Sequence, residues 1–99
     1  MRVPDVISAE HPALPGHFPG RPIVPGVLLL DRVVAAVLAD APGCVLVGFP
    51  AAKFLRPLAG DEAFEIFWQR EGELAAFRCL IGDTLVAEGR LQLRAIAPT

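Results

Sequence analysis

His17 is the first residue whose type and setting could do chemistry. It lies in a stretch rich in proline and glycine, between residues 11 and 26. Histidine exchanges a proton near neutral pH without large tuning, and the prolines restrict a loop that the glycines alone would leave free. We therefore interpret His17 as a candidate general base. The alternatives are a structural histidine that caps a loop carbonyl, and His11 as a competing candidate in a more polar setting.

Asp31 is the second candidate, because it interrupts an apolar run. The residues three and four positions away along a helix are Val27, Leu28, Val34 and Ala35. This pattern predicts a carboxyl group within an apolar stripe, where it would tend to keep its proton and could donate it to a leaving group. The alternatives are pairing with Arg32 or exposure to solvent. Adjacent helical residues do not face each other, which disfavours the Arg32 pair, but the pattern does not decide which of the two is buried.

Gly26 is the third candidate, at the expected start of the same helix. Its backbone N–H would lie at the positive end of the helix, with no side chain in the way. A carbonyl oxygen that gains negative charge would be stabilised there. A base, a proton donor and an oxyanion site together suit removal of a proton next to a thioester carbonyl.

The helix that must position Asp31 and Gly26 is predicted from Pro25 to Ala39. Proline suits the first helical position, the apolar run from Val27 continues the helix, and the segment from Asp40 to Gly43 ends it. Apolar residues lie nearly all round this helix, so we expect it to be buried on most sides.

The rest of the chain predicts β-strands. Pro4 restricts the first, Arg2–Ser8, to a sheet edge. Gly48 and Pro50 are expected to break the next stretch into two strands, and turns are expected at Glu71-Gly72 and Gly82-Asp83. The remaining predicted strands are Cys44–Val47, Ala51–Phe54, Glu62–Arg70, Leu74–Ile81 and Thr84–Arg94. A helix followed by an antiparallel meander predicts the α+β class, as one domain over residues 1–99.

The composition predicts an oligomer. The 99 residues are 54% hydrophobic and the mean hydropathy is +0.51. A chain this short leaves much apolar surface uncovered, and in the strand Glu62–Arg70 both faces carry apolar residues. One helix covers only one face of a sheet. We therefore expect a dimer as the smallest folded unit.

Several function classes are excluded at this stage. Nine basic against eleven acidic residues, with no basic run, argue against nucleic acid. No phosphate-binding or dinucleotide-binding glycine motif occurs. Cys44 and Cys79 lack zinc-site spacing and are interpreted as buried thiols of a reduced compartment. No run reaches the length of a membrane span, and no signal-peptide pattern begins the chain. We expect a cytoplasmic protein without a metal or cofactor.

The run GHFPGRPIVPGVLLLD, residues 16–31, closely resembles the signature of the 3-hydroxyacyl-(acyl-carrier-protein) dehydratases. The run KFLRPLAGD, residues 53–61, is similar to a strand and turn of the same family. The chain is shorter than usual for that family and lacks the usual Glu-Ala-x-x-Gln continuation of the helix. It is more similar to small stand-alone dehydratase-like proteins of aryl polyene or polyketide-like lipid synthesis.

The resemblance implies a hot-dog fold, in which a sheet wraps around a central helix, with active sites at a dimer interface. It implies that His17 is the catalytic histidine and that Asp31 is the acid contributed by the partner protomer. Gly26 and Val27 would hold the thioester carbonyl. The implied reaction is dehydration of a (3R)-3-hydroxyacyl group on acyl carrier protein to the trans-2-enoyl thioester. A trimer of dimers is also compatible with the resemblance.

Two other functions remain open from the sequence. A hot-dog thioesterase would use Asp31 to activate water, and a non-catalytic acyl-binding subunit would keep only the fold. Acyl carrier proteins are acidic, so cations are expected at the entrance of the site. The candidates are Arg21, Lys53 and Arg56, with ordinary solvated surface as the alternative.

Overall fold

One antiparallel sheet packs against one helix in the part of the chain that the structure describes. The structure is a computed structural model and describes residues 1–14 and 22–96. The elements in chain order are β1 (Arg2–Asp5), α1 (Gly26–Ala39), β2 (Cys44–Phe54), β3 (Phe64–Glu71), β4 (Leu74–Ile81) and β5 (Thr84–Ala95). The five strands lie in the order β1-β3-β4-β5-β2, and every neighbouring pair is antiparallel. The predicted α+β class is confirmed.

Two tight turns build the meander of β3, β4 and β5. Gly72 and Gly82 have φ of 60° and 57°, which glycine adopts without strain. The pairs Glu71–Leu74 and Ile81–Thr84 close two-residue turns. The turn at Gly82-Asp83 confirms its prediction. The first turn comprises Gly72 and Glu73, one residue later than predicted, because Glu71 still pairs within the sheet.

The two edges of the sheet are β1 and β2. The edge position of β1 was predicted from Pro4, which cannot donate a backbone hydrogen bond. The predicted break in β2 is wrong, because the strand is continuous from Cys44 to Phe54. Its register against β5 shifts between Leu46 and Gly48 and again between Gly48 and Ala51. Because β2 lies at an edge, these irregularities absorb Gly48 and Pro50 without ending the strand.

The core lies between α1 and the face of the sheet that alternation turns inward. From the helix, Leu29, Val33 and Val37 are buried. They belong to one cluster with the inward-facing residues Phe64, Ile66, Trp68, Phe77, Cys79, Leu91 and Leu93. At the end of the helix, the indole Nε1–H of Trp68 donates to Asp40 Oδ2 over 3.2 Å. This bond ties the C-terminus of α1 to β3.

The helix differs from its prediction at one end and on one face. It begins at Gly26, with Pro25 as an extended N-cap residue (φ −60°, ψ 142°). Its burial is one-sided, because Val27, Asp31 and Ala35 are exposed along a line four residues apart. None of the helices in residues 1–14 and 22–96 has the length and apolar character needed to cross a membrane.

Candidate active site

The first two backbone N–H groups of α1 have no acceptor among residues 1–14 and 22–96. Leu28 N and Leu29 N both donate to the carbonyl of Pro25, at 3.0 and 3.2 Å. Within the described part of the chain, the N–H groups of Gly26 and Val27 have no acceptor. They lie at the positive end of the helix dipole, where an oxyanion or a polarised carbonyl oxygen is stabilised. The start of α1 can therefore bind a carbonyl oxygen with two donors.

The segment that leads into the helix is held by the turn after β2. Val24 N donates to the carbonyl of Leu58 over 2.8 Å, and Gly60 N donates to the carbonyl of Pro22 over 2.9 Å. Ile23 and Ala59 form an antiparallel bridge between these bonds. Residues 22–24 of the first matching run and residues 58–60 of the second thus meet in space. Together they fix the position of the Gly26 N–H.

Asp61 closes this junction. Its φ is 65°, its N–H donates to the carbonyl of Ile7 over 2.7 Å, and its Oδ1 accepts from Ala9 N over 2.9 Å. A side chain at the preceding Gly60 would lie only 2.5 Å from the Cα of Ala9, so the backbones approach too closely for any other residue. The junction therefore also anchors residues 7–9, which lead toward the histidine loop.

Phe54, the last residue of β2, packs directly on Gly26. A Cβ atom at Gly26 would lie 2.8 to 3.2 Å from three atoms of the Phe54 ring. The ring itself is 50% exposed. A side chain at Gly26 would therefore have to displace the tip of this ring. The wall beside the Gly26 N–H is aromatic and open to solvent on one side.

Asp31 is exposed, and its predicted burial is wrong for a single chain. Leu29, Val33 and Val37 form the buried face of α1. Asp31 lies two positions from Leu29 and from Val33, so it is on the opposite side of the helix. The alternative pair with Arg32 is also absent, because Arg32 Nη1 lies 3.7 Å from the Asp5 carboxylate. Asp31 lies about five residues, or roughly 7.5 Å of helix, beyond the free N–H groups.

Four other residues were predicted from the sequence to belong to the site or its entrance. His17 and Arg21 lie outside the described residues. Arg56 forms an ion pair with Glu62 at 3.1 Å, so its charge is already compensated. Glu62 also accepts from Ala59 N, which holds the turn in place. Lys53 lies on the outer face of the sheet, in cross-strand register with Glu88.

The larger cavity does not coincide with this site. It has a volume of about 1140 Å³ and lies on the outer face of the sheet, among residues that include Lys53, Phe67, Arg78, Glu88 and Arg90. A smaller cavity of about 250 Å³ lies beside the junction, lined by Ile23, Arg56, Pro57, Ala59 and Glu62. We place the candidate site at the junction, because the two N–H groups without an acceptor in the described residues lie there.

Comparison with known proteins agrees with this geometry. A family model described as ApeI-like, ApeI dehydratase, matches residues 3–90. The chain belongs to the ApeI-like dehydratase family. This confirms the resemblance found in the sequence.

Members and relatives of this family share both sequence and fold with the chain. It is 35% identical over 89 residues to the 3-hydroxyacyl-(acyl-carrier-protein) dehydratase FabZ of Thermus thermophilus, covering 81% of this chain and 60% of that protein. It is 43% identical over 102 residues to FabZ of Verminephrobacter eiseniae, covering 86% and 67%. The solved structure titled the dehydratase heterocomplex ApeI:P of Xenorhabdus doucetiae superposes with a TM-score of 0.77 at 25% identity, covering 93% and 84%. The hot-dog fold is thereby confirmed, and the chain spans under two thirds of the Thermus relative.

Two features of the candidate site could not be foreseen from the sequence. Phe54 was seen only as part of a matching segment, although an aromatic residue ending an edge strand just before Pro57 is a signal that it could pack on a neighbouring loop. The contacts of Asp61 with residues 7–9 were also missed. No local pattern predicts them, because they join positions far apart in the chain.

Proposed function

We propose that this protein dehydrates a (3R)-3-hydroxyacyl thioester, carried on an acyl carrier protein, to the trans-2-enoyl thioester. The reaction would serve fatty acid or polyketide-like lipid biosynthesis in the cytoplasm. The observation that carries this proposal is the pair of free N–H groups at Gly26 and Val27, fixed by the junction with residues 58–60. Such a pair suits a thioester carbonyl that becomes enolate-like in the transition state.

The proposed steps use three groups of the chain. The thioester oxygen accepts from the Gly26 N–H, beside Val27. The imidazole of His17 takes a proton from C2, and the electrons of the broken C2–H bond move toward the carbonyl. Asp31 then gives a proton to the hydroxyl on C3. As the C3–O bond breaks, the C2=C3 double bond forms and water leaves, so the protein ends with its protons redistributed and no external reductant or oxidant is used.

A second chain is part of the proposed site. The exposed apolar side chains beside the helix start, within the described residues, include those of Ile23, Val27 and Leu55, which we call the apolar patch. A partner covering this patch would bring its own Asp31 toward the free N–H groups and take the carboxyl out of water. We propose a homodimer. The ApeI:P neighbour is a heterocomplex by its title, so the second arrangement to test is pairing with a related but different dehydratase chain.

The test is turnover of a carrier-free substrate. We expect the purified protein to convert 3-hydroxybutyryl-pantetheine to the enoyl thioester, followed by its absorbance in the ultraviolet. A thiol reagent is read in parallel. Release of free thiol without enoyl absorbance would replace dehydration with hydrolysis by Asp31-activated water. Binding without either product, unchanged in His17→Ala, would indicate a non-catalytic acyl-binding subunit.

A further inference from the structure

The ring of Phe54 has an unusual position for a large aromatic side chain. Its tip lies against the Cα of Gly26, yet half of its surface is open to solvent. Phe49, in the same strand, differs: its ring packs edge-on against Phe77, with ring centres 6.3 Å apart and an angle of 82° between the planes. Phe49 thus contacts the core, whereas Phe54 borders the start of the helix and leaves a free face.

The ring lies close to the Gly26 N–H, because three of its atoms lie within 3.2 Å of the position that a Cβ on the same residue would take. An acceptor oxygen on the Gly26 N–H would lie about 2.9 Å from the nitrogen. The carbonyl carbon and the next carbon, C2, then lie within van der Waals reach of groups that contact Gly26. The Phe54 ring is such a group, since three of its atoms would lie within 3.2 Å of a Cβ on that residue. A substituent on C2 would therefore compete with the ring for space.

We propose that Phe54 contacts the substrate and determines specificity at C2. Its ring forms the apolar wall of the thioester site, excludes water from the Gly26 N–H, and leaves room for unbranched acyl groups but not for a methyl group on C2. This inference rests on the proposed function, because it assumes that a thioester carbonyl binds at Gly26. Water exclusion strengthens the hydrogen bond to that carbonyl.

The decisive comparison uses two substrates that differ by one methyl group. These are the pantetheine thioesters of 3-hydroxybutyrate and of 2-methyl-3-hydroxybutyrate, and both can lose water because C2 carries two hydrogens in the first and one in the second. We expect Phe54→Leu to raise the kcat/KM of the branched substrate relative to the unbranched one by roughly tenfold or more, the range that one methyl group is worth in a fitted pocket. Phe54→Met, whose longer unbranched side chain still reaches toward Gly26, should raise it less.

Phe49→Leu is the matched control, because it shortens an aromatic side chain of the same strand that faces the core. Its branched-to-unbranched ratio should equal that of the parent. An unchanged ratio in Phe54→Leu, or equal changes in both variants, would overturn the proposal and leave Phe54 a packing residue.

A binding measurement separates this inference from the proposed function. Butyryl-pantetheine and 2-methylbutyryl-pantetheine lack the hydroxyl group and cannot be dehydrated, so calorimetry reports binding alone. If the parent shows no dehydration, the proposed function fails. The role of Phe54 in specificity is still supported if the parent binds the unbranched thioester more tightly and Phe54→Leu loses that preference. The role is refuted if both proteins show the same preference.

Discussion

At the scale of single residues, His17 and Asp31 carry the proposed proton transfers. We expect His17→Ala and Asp31→Asn each to lower kcat by about 10²–10⁴, the usual effect of losing a general acid or base. The midpoint of urea unfolding should not fall for Asp31→Asn, because the substitution keeps the side-chain volume and removes a charge that the proposed dimer would take out of water. Asp83→Asn, in the exposed β4–β5 turn, is the matched control and should keep full activity. A variant within a few-fold of the parent would remove that residue from the mechanism.

Cys79 gives a second prediction at this scale, on stability. It is fully buried, and this burial, with a smaller effect of the Asp5 carboxylate, raises the pKa of its thiol from 9.0 to about 12. Above pH 9 the Cys79 thiol of the unfolded chain loses its proton, whereas the thiol of the folded chain keeps it until the pH approaches 12. The contribution of this thiol to the free energy of unfolding is therefore complete below pH 9 and is lost as the pH rises toward 12.

We therefore expect the free energy of unfolding to fall between pH 9 and 11 by about 1–2 kcal/mol more in the parent than in Cys79→Ala. Urea unfolding at both pH values measures it. Cys44→Ala, which removes the half-buried thiol, should follow the slope of the parent. Equal slopes in all three proteins would show that Cys79 titrates in the same way in both states.

At the scale of elements, the Trp68–Asp40 bond ties the helix to the sheet. We expect Asp40→Ala to lower the free energy of unfolding by about 1 kcal/mol, because the buried indole N–H loses its acceptor. Asp40→Asn keeps an acceptor oxygen and removes a negative charge from the C-terminal end of the helix, where it opposes the dipole. It should be neutral or slightly stabilising. The fluorescence of Trp68, the only tryptophan of the sequence, reports the unfolding of both variants. An equal loss in the free energy of unfolding in the two variants would exclude the hydrogen bond as the cause.

The same scale shows how much of the fold the sequence could predict. The meander was predicted nearly residue by residue, because Gly72 and Gly82 mark its turns and apolar alternation marks its faces. The continuous β2 was not, because Gly48 and Pro50 end a central strand but are tolerated as irregularities at an edge. The pattern also could not separate the buried face of α1 from the face that carries Asp31, since both are apolar.

At the scale of the whole molecule, the exposed apolar surface predicts a dimer. The accessible surface is 6145 Å² for a mass of 10.6 kDa, whereas a compact monomer of that mass has about 5,500 Å². We expect sedimentation at micromolar concentration to give a dimer, and Leu55→Glu, which places a charge in the apolar patch, to shift it toward monomer. Leu74→Glu, exposed at the distant β3–β4 turn, is the control. A folded parent that sediments as a monomer would contradict the prediction.

The surface charges predict how a carrier would dock. Because Arg56 is paired with Glu62, reversing its charge would disturb the junction as well as the surface. Lys53 is the cleaner test. We expect Lys53→Glu to raise KM several-fold for a carrier-linked substrate and to leave the KM for a carrier-free thioester unchanged. Added salt should likewise raise the KM of the parent for the carrier-linked substrate. Arg94→Glu, exposed near the end of β5, is the control. Equal impairment on both substrates would indicate a structural role for Lys53.

The strand order also sets the sequence of events in folding. The β3–β4–β5 meander closes through two-residue turns, whereas β1 pairs Arg2 with Phe67 and β2 pairs Ala52 with Gly89, across long stretches of chain. Loop-closure entropy makes such distant pairings slow and late. Amide hydrogen exchange should thus be slowest in the meander and faster in β1 and at the helix start. The region that would hold the thioester could then open and reclose many times while the rest of the sheet stays folded.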